Sequence, residues 1–207
     1  MSTESLDLAE SFVYMPEVVR VARETAQGTG NVVPTNGGSA ALTFLARCID
    51  AQTVVVVGLG PGVVGMSLFA GMPEAGVITG IDIDNDWLNE ARLAFVTAGV
   101  ASNRYRLIAG VALKVMSKLR DGAYDMVVIA GDILDYVEYI AQSVRLLRPG
   151  GMLVLTDILW HNLVANPRCE DDEALIIREA MQVIQQEDDF TPLIIPLGDG
   201  ILAAIKN

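Results

Sequence analysis

A three-layer α/β sandwich, with seven strands that run mostly parallel and a last strand that is antiparallel, is the fold this sequence predicts. Three observations carry that expectation. Apolar, β-branched runs such as Thr53–Val57 alternate with segments of helical periodicity along the middle of the chain, the pattern of a parallel sheet covered on both faces. A glycine-rich turn, Gly58 to Gly65, follows the first of those runs and opens a helix. The last two apolar runs are separated only by Leu197-Gly198-Asp199-Gly200, a length that favours a hairpin.

The elements follow in order. Leu6 to Ala26 has apolar positions at helical spacing around Pro16, and Gln27-Gly28-Thr29-Gly30-Asn31 reads as a loop. Residues 1–33 thus form an N-terminal helical appendage to a single domain spanning 1–207. A helix is expected over Ser39 to Cys48, a buried strand over Thr53 to Val57, and a helix over Val63 to Met72. Val77 to Ile81 is a strand ending at Asp82; Asp84 or Asn85 caps the next helix, whose apolar face holds Leu88, Ala91, Phe95 and Ala98. Gly99 stands where a helix C-terminal glycine belongs. The pattern then repeats: strand Tyr105–Ala109, helix Val111–Leu119, strand Tyr124–Ala130, helix Leu134–Leu147. Arg148-Pro149-Gly150-Gly151 stops that helix, and Met152 to Thr156 is a strand. Glu173 to Gln186 is a helix with Leu175, Ile176, Ala180, Val183 and Ile184 as its apolar positions. Leu193–Pro196 and Ile201–Ile205 form the closing antiparallel pair.

Composition narrows the function. With 207 residues, 52% of them apolar and 19% charged, the chain can bury a sizeable single core. Its 26 acidic against 14 basic residues give a net charge of −12, which argues against a nucleic-acid partner, since phosphate neutralisation needs clustered Lys and Arg. Cys48 and Cys169 match no metal-ligand spacing and read as reduced, small apolar side chains. Ala51 to Pro73 carries no charge and is long enough to cross a bilayer, but its glycines and Pro61 would break a spanning helix. The acidic, polar start MSTESLDLAES has the character of neither a signal nor a transit peptide. A cytoplasmic protein with no membrane partner is expected.

In such sheets ligands bind beyond the carboxyl ends of the strands, near the point where strand order reverses. The loops after Val57, Ile81, Ala109, Ala130 and Thr156 are therefore the ones that carry a site. Glycines at 58, 60, 62 and 65 let the backbone approach a ligand and leave helix N-terminal amides free. Asp82, at the end of the next strand, is placed to accept hydrogen bonds from two ribose hydroxyls. Gly60-x-Gly62-x-x-Gly65 also fits the dinucleotide pattern, so the motif by itself leaves NAD and other adenosine cofactors open. An antiparallel last strand favours S-adenosylmethionine, because dinucleotide-binding sheets ordinarily end in parallel strands.

A set of segments in fixed order extends this reading: Gly58-Leu59-Gly60-Pro61-Gly62, Ile81-Asp82-Ile83-Asp84, Ala91-Arg92, Ala109-Gly110-Val111-Ala112, Tyr124 to Ile129, Leu146 to Gly151, Asp157-Ile158-Leu159-Trp160 and Leu197 to Gly200. Over roughly residues 34–207 the chain resembles the bacterial O-methyltransferases of the catechol and caffeoyl-coenzyme A type, with the Rossmann-like class I methyltransferase fold. The resemblance implies that Gly58, Leu59, Gly60 and Gly62 wrap the methionine part of S-adenosylmethionine, that Asp82 holds the ribose, that Ile83 packs on the adenine, and that Gly110, Val111 and Ala112 edge the adenine pocket. It also implies a homodimer to which Leu6–Val21 contributes, and a loop from Trp160 to Asp172 over the acceptor.

Several positions depart from the family. Its acidic residue in the first strand is Val56 here, its Ile-Asp-Ala-Asp-Lys is Ile129-Ala130-Gly131-Asp132-Ile133, and its Asp-Asn is Asp157-Ile158. Of the three ligands to Mg²⁺ or Ca²⁺ and the lysine base, only Asp157 matches, with Asp132 as a shifted neighbour. Hard divalent cations need several oxygen ligands, so a site without the metal is expected. Asp132, Asp157 and His161 are the candidates for accepting the acceptor's proton. Glu170-Asp171-Asp172-Glu173 reads as a solvated helix start. The expected function is S-adenosylmethionine-dependent O-methylation of a small hydroxylated acceptor. The alternatives are a regulatory module that binds S-adenosylmethionine without turnover, favoured by Ala130, Ile133 and Ile158, and an NAD-dependent oxidoreductase.

Overall fold

The computed structural model describes residues 2–27 and 33–207. Most of the expected loop at 27–31 lies outside the described residues. Two N-terminal helices, α1 (Thr3–Ser11) and α2 (Glu17–Gln27), are separated by the segment before and through Pro16, whose ring supplies no backbone donor to continue a helix. Then come α3 (Asn36–Cys48), β1 (Thr53–Val57), α4 (Val63–Gly71), β2 (Val77–Asp82), α5 (Asn85–Thr97), β3 (Tyr105–Ala109) and α6 (Ala112–Met116). The chain continues with β4 (Tyr124–Ile129), α7 (Tyr136–Leu146), β5 (Leu147–Leu155), α8 (Asp172–Gln186), β6 (Phe190–Ile195) and β7 (Ile201–Lys206).

The seven strands form one sheet in the order β3-β2-β1-β4-β5-β7-β6. The pairs from β3 to β5 are parallel, and β7 runs antiparallel between β5 and β6. This is the expected class I methyltransferase topology. Side chains alternate across the sheet with period two: Val54 and Val56 of β1 join Leu42, Leu68 and Phe95 in one core, while Val55 and Val57 join Tyr136, Ile140 and Ile177 in the other. Helices α2 to α5 cover the first face and α6 to α8 the second. The N-terminal segment is part of this packing, because Val19, Ala22 and Ala26 of α2 are buried in the first core.

Local chemistry explains where the elements start and stop. Thr35 Oγ1 accepts from Gly38 N (3.1 Å) and so begins α3 three residues earlier than the apolar pattern indicates. Asp84 Oδ1 accepts from Asp86 N (2.8 Å) at the start of α5, and Gly99, at φ +75°, ends it. Helix α6 is shorter than the expected Val111–Leu119. The expected Leu134–Leu147 helix is a 3₁₀ turn over Ile133–Asp135 followed by α7, because Asp132 caps the turn rather than the helix. Strand β5 begins at Leu147, runs through Pro149-Gly150-Gly151, and breaks register against β4 between Tyr124 and Met126. The buried face of α8 is Ala174, Ile177, Ala180 and Ile184; Leu175 is exposed, and Ile176 and Val183 are half-buried. Cys48 is exposed and Cys169 half-buried, both as free thiols. No helix among the described residues is long and apolar enough to cross a membrane.

At the edge of the sheet opposite the strand C-termini, the carboxylate of Asp125 gathers three segments. It accepts from Gln52 N (2.9 Å), Thr53 N (2.7 Å), Thr53 Oγ1 (2.8 Å) and Arg148 Nε (2.6 Å). Burial acts to raise its pKa, but the Arg148 and Thr53 bonds outweigh burial and hold it below the ordinary carboxylate value. The folded form therefore stays ionised to lower pH than the unfolded chain, so the resulting stability is present above the unfolded pKa and lost as pH falls through the folded one. Asp125→Ala is expected to cost roughly 2–3 kcal/mol at pH 7 by chemical denaturation, with the gap from wild type closing as pH drops below 4. The helices α3 and α4 touch at Gly71, where an added Cβ would lie 2.1 Å from Thr43 O. Gly71→Ala is expected to lose about 3 kcal/mol, read the same way, because backbone rather than a side chain must move.

Candidate active site

The strand order reverses at β1, whose neighbours β2 and β4 lead into helices on opposite faces, and a crevice opens between the loops that follow them. The turn after β1 has Gly58 at φ +71°, Gly60 at +55° and Gly62 at +98°. At Gly58 the backbone of two loops is in contact: a Cβ there would lie 2.4 Å from Gly131 Cα and 2.5 Å from Ala130 O. Ala130 N donates to Val57 O (2.8 Å), which holds that approach in place. Asp82, 8% exposed, ties the turn to β2. Its Oδ2 accepts from Gly60 N (2.9 Å) and its Oδ1 from Asp84 N (3.0 Å).

Above this turn lies a cavity of about 370 Å³, within the range of small-molecule sites. Gly58, Leu59, Gly60, Asp82, Ile83, Gly110, Val111 and Ala112 all reach its wall. Gly62 does not; it starts α4 in the left-handed region, with Ala91 Cα 3.0 Å from where its Cβ would be. Trp87, in the first turn of α5, also lines the cavity. Its only signal in the sequence was a position one turn past Asp84. Val33 and Pro34, just ahead of α3, close another side.

The end of the cavity beyond β4 and β5 is acidic. Asp132 and Asp157 line it together with Asp135, Tyr139 and Thr156, three residues the sequence reading missed because Tyr139 fits the core face of a helix and Asp135 precedes it. Asp132 Oδ1 accepts from Leu134 N (3.0 Å), Asp135 Oδ2 from Tyr139 Oη (3.1 Å), and Asp157 Oδ2 from Thr156 Oγ1 (2.7 Å). Desolvation raises the pKa of Asp157 above the ordinary value; Asp199 adds to the rise, whereas Thr156 and His161 oppose it. Asp157 also has φ +55°, a left-handed conformation that Asp and Asn tolerate. Ala130 lies on the wall without a side-chain oxygen, and Ile158 is fully buried in the second core. Among the described residues no group of three or more His, Cys, Asp or Glu side chains is arranged to hold a metal ion.

His161 sits apart from the cavity wall. Its side chain is 72% exposed, with Nδ1 3.4 Å from Asp199 Oδ2, and its backbone N donates to the same carboxylate (2.8 and 2.9 Å). Trp160 Nε1 donates to Asp171 Oδ1 (2.9 Å), which pins the loop to the start of α8. The hairpin loop that supplies Asp199 is fastened in turn by Glu10 of α1. Glu10 accepts from Gly198 N (2.6 Å), Gly37 N (2.6 Å) and Thr35 Oγ1 (3.1 Å).

Comparisons with known proteins agree with the topology. The O-methyltransferase family model covers residues 5–207. A Mycobacterium avium protein named as an O-methyltransferase is 39% identical over 201 residues, which is 96% of this chain and 90% of that protein. A Corynebacterium glutamicum protein of known structure superposes with a TM-score of 0.89 at 27% identity, covering 98% of this chain and 96% of that one. The Streptomyces achromogenes O-methyltransferase TomG, involved in tomaymycin synthesis and solved in complex with SAM, shares the fold at a TM-score of 0.87 and 20% identity, covering 100% of this chain and 99% of its own. The chain belongs to the O-methyltransferase family.

Proposed function

We propose that this protein methylates the hydroxyl group of a small acceptor using S-adenosylmethionine, and that it does so without a divalent metal. The observation that carries this reading is the Gly58–Asp82 arrangement at the floor of the cavity. The turn has no room for a side chain at Gly58, and Asp82 has used one acceptor site on each oxygen. A carboxylate offers about four such sites, so two remain for the two hydroxyls of a ribose. Gly110, Val111 and Ala112, with Ile83 and Trp87, form the rim that suits an adenine. When bound, S-adenosylmethionine would supply a methyl group on a positively charged sulfur, the acceptor oxygen bonding to the methyl carbon as the carbon–sulfur bond breaks and its electron pair stays with sulfur.

The chain's own part is to position the acceptor and take its proton. Asp157 is the group best suited to that: it lines the cavity, and desolvation moves its pKa up toward the working pH. Asp132 faces the same space, and His161 is held outward by Asp199. Ala130 and Ile158 supply no metal-ligating oxygen, which supports a metal-free site; Val56, buried in the sheet, leaves cofactor binding to the glycine turn and Asp82. The antiparallel β7 and the family match count against an NAD-dependent oxidoreductase. Free thiols suit a reducing cytoplasm. Exposed Phe12 and Tyr14, after α1, support association of two copies through the N-terminal helices.

Calorimetric titration with S-adenosylmethionine and with NAD, each in EDTA and in Mg²⁺, tests the reading. Saturable S-adenosylmethionine binding in EDTA, with none of NAD, is expected; binding that appears only with Mg²⁺ overturns the metal-free site. Asp82→Ala is expected to weaken S-adenosylmethionine by about ten- to a hundredfold, the loss of hydrogen bonds to a charged group. Asp157→Asn is expected to lower turnover by about 10²-fold or more. The same change should not lower stability at pH 7. A carboxyl with a raised folded pKa binds its proton more tightly in the folded state, so its ionisation costs stability as pH rises. The melting temperature of Asp157→Asn at pH 7 should therefore exceed that of wild type, with the gain shrinking toward pH 4.

A further inference from the structure

Charge on the cavity wall is one-sided. Among the described residues four carboxylates reach it, those of Asp82, Asp132, Asp135 and Asp157, and no Lys, Arg or His does. They are also unevenly placed. Asp82 sits at the end of β2 with its carboxylate engaged by Gly60 and Asp84. The other three follow β4 and β5, at the opposite end of the space. Each of those three accepts one hydrogen bond from a neutral donor, namely Leu134 N, Tyr139 Oη and Thr156 Oγ1. None of them is in an ion pair within 4.0 Å among the described residues.

With no Lys, Arg or His among the described residues of the wall, these acidic residues give that end of the cavity a negative potential. The arrangement is relieved by a cation and made worse by a second anion. Among the described residues no group of three or more His, Cys, Asp or Glu is arranged to hold a metal ion, so the compensating charge falls to the ligand. S-adenosylmethionine brings a sulfonium and an ammonium against one carboxylate, which offsets only part of the excess. Tyr139, on the wall beside them, spends its hydroxyl on Asp135 and brings no positive charge. We infer that the acceptor is a hydroxylated molecule carrying a protonated amine, and that carboxylates and phosphate-bearing thioesters are rejected. This inference rests on the methyltransferase reading for which end of the cavity receives the acceptor.

The test uses the full chain in EDTA with saturating S-adenosylhomocysteine, which permits binding without turnover. Two probe series of near-constant shape are titrated by calorimetry: tyramine, 4-ethylphenol and 4-hydroxyphenylacetate, then the same three with a second ring hydroxyl. In at least one series the amine is expected to bind tenfold or more tightly than the neutral probe, and the acid more weakly than the neutral one. The amine's advantage should fall as NaCl rises from about 20 to about 300 mM, because the added salt shortens the range of the attraction. Asp135→Asn should lose most of that advantage while still binding S-adenosylhomocysteine, and Asp132→Asn serves if the first variant melts early. Equal or tighter binding of the neutral or acidic probe overturns the inference. So does failure of both amines to bind, or loss of the amine preference when Mg²⁺ replaces EDTA. If S-adenosylhomocysteine itself does not bind, the cofactor reading fails separately, and the charge order measured without it still decides the acceptor's class.

Discussion

The contact between Gly58 and the Ala130–Gly131 backbone is the constraint on which the site depends. Two strands that lie side by side must send their chains to opposite faces of the sheet, and they part only after their loops have crossed at van der Waals distance. Any Cβ at Gly58 fills that crossing. Because the loops meet low, space opens above them, and Asp82 then fixes the height of the turn through Gly60. The cavity is thus a by-product of topology that two glycines and one carboxylate keep from collapsing.

Aspartates do opposite work at the two ends of the sheet. Asp125 is surrounded by donors from three segments and is held ionised, so its charge is fully used in joining β1, β4 and β5. Asp157 has one hydroxyl donor and a neighbouring carboxylate, and its ionised form is the costly one. Donors outweigh burial at Asp125, whereas burial prevails at Asp157.

The strands were legible in the sequence because β1, β2, β4 and β5 are buried on both faces, which demands unbroken apolar runs such as Val54–Val57. The cofactor end was legible for a related reason: Gly58 to Gly60 and Asp82 are joined through a single strand–helix–strand unit. Element ends were less readable. Thr35 and Asp132 moved helix starts by capping, and β5 absorbed Pro149 at its outer end, where a missing donor costs little. On α8 the apolar residues are so dense that periodicity did not pick Ile177 over Ile176. The end beyond β4 and β5 was the least readable: Asp135 and Tyr139 meet across one turn at the start of α7, but only the packing of α7 against β5 brings them to Thr156.

Glu10 reaches across 188 positions in the chain to hold Gly198, and β7 is the sole partner of β6 and lies between it and β5. Both facts bear on the order in which the protein is made. A chain emerging from the ribosome can form β1 to β5 and their helices early, and α1 can already rest on Thr35 and Gly37, yet Glu10 has nothing on the hairpin side to grip until Leu197 to Gly200 is free. Until then β5 is an open edge beside a long apolar face. The loop that carries Asp157 to His161 gains its Asp199 and Gly200 hydrogen bonds only once the closing hairpin is in place.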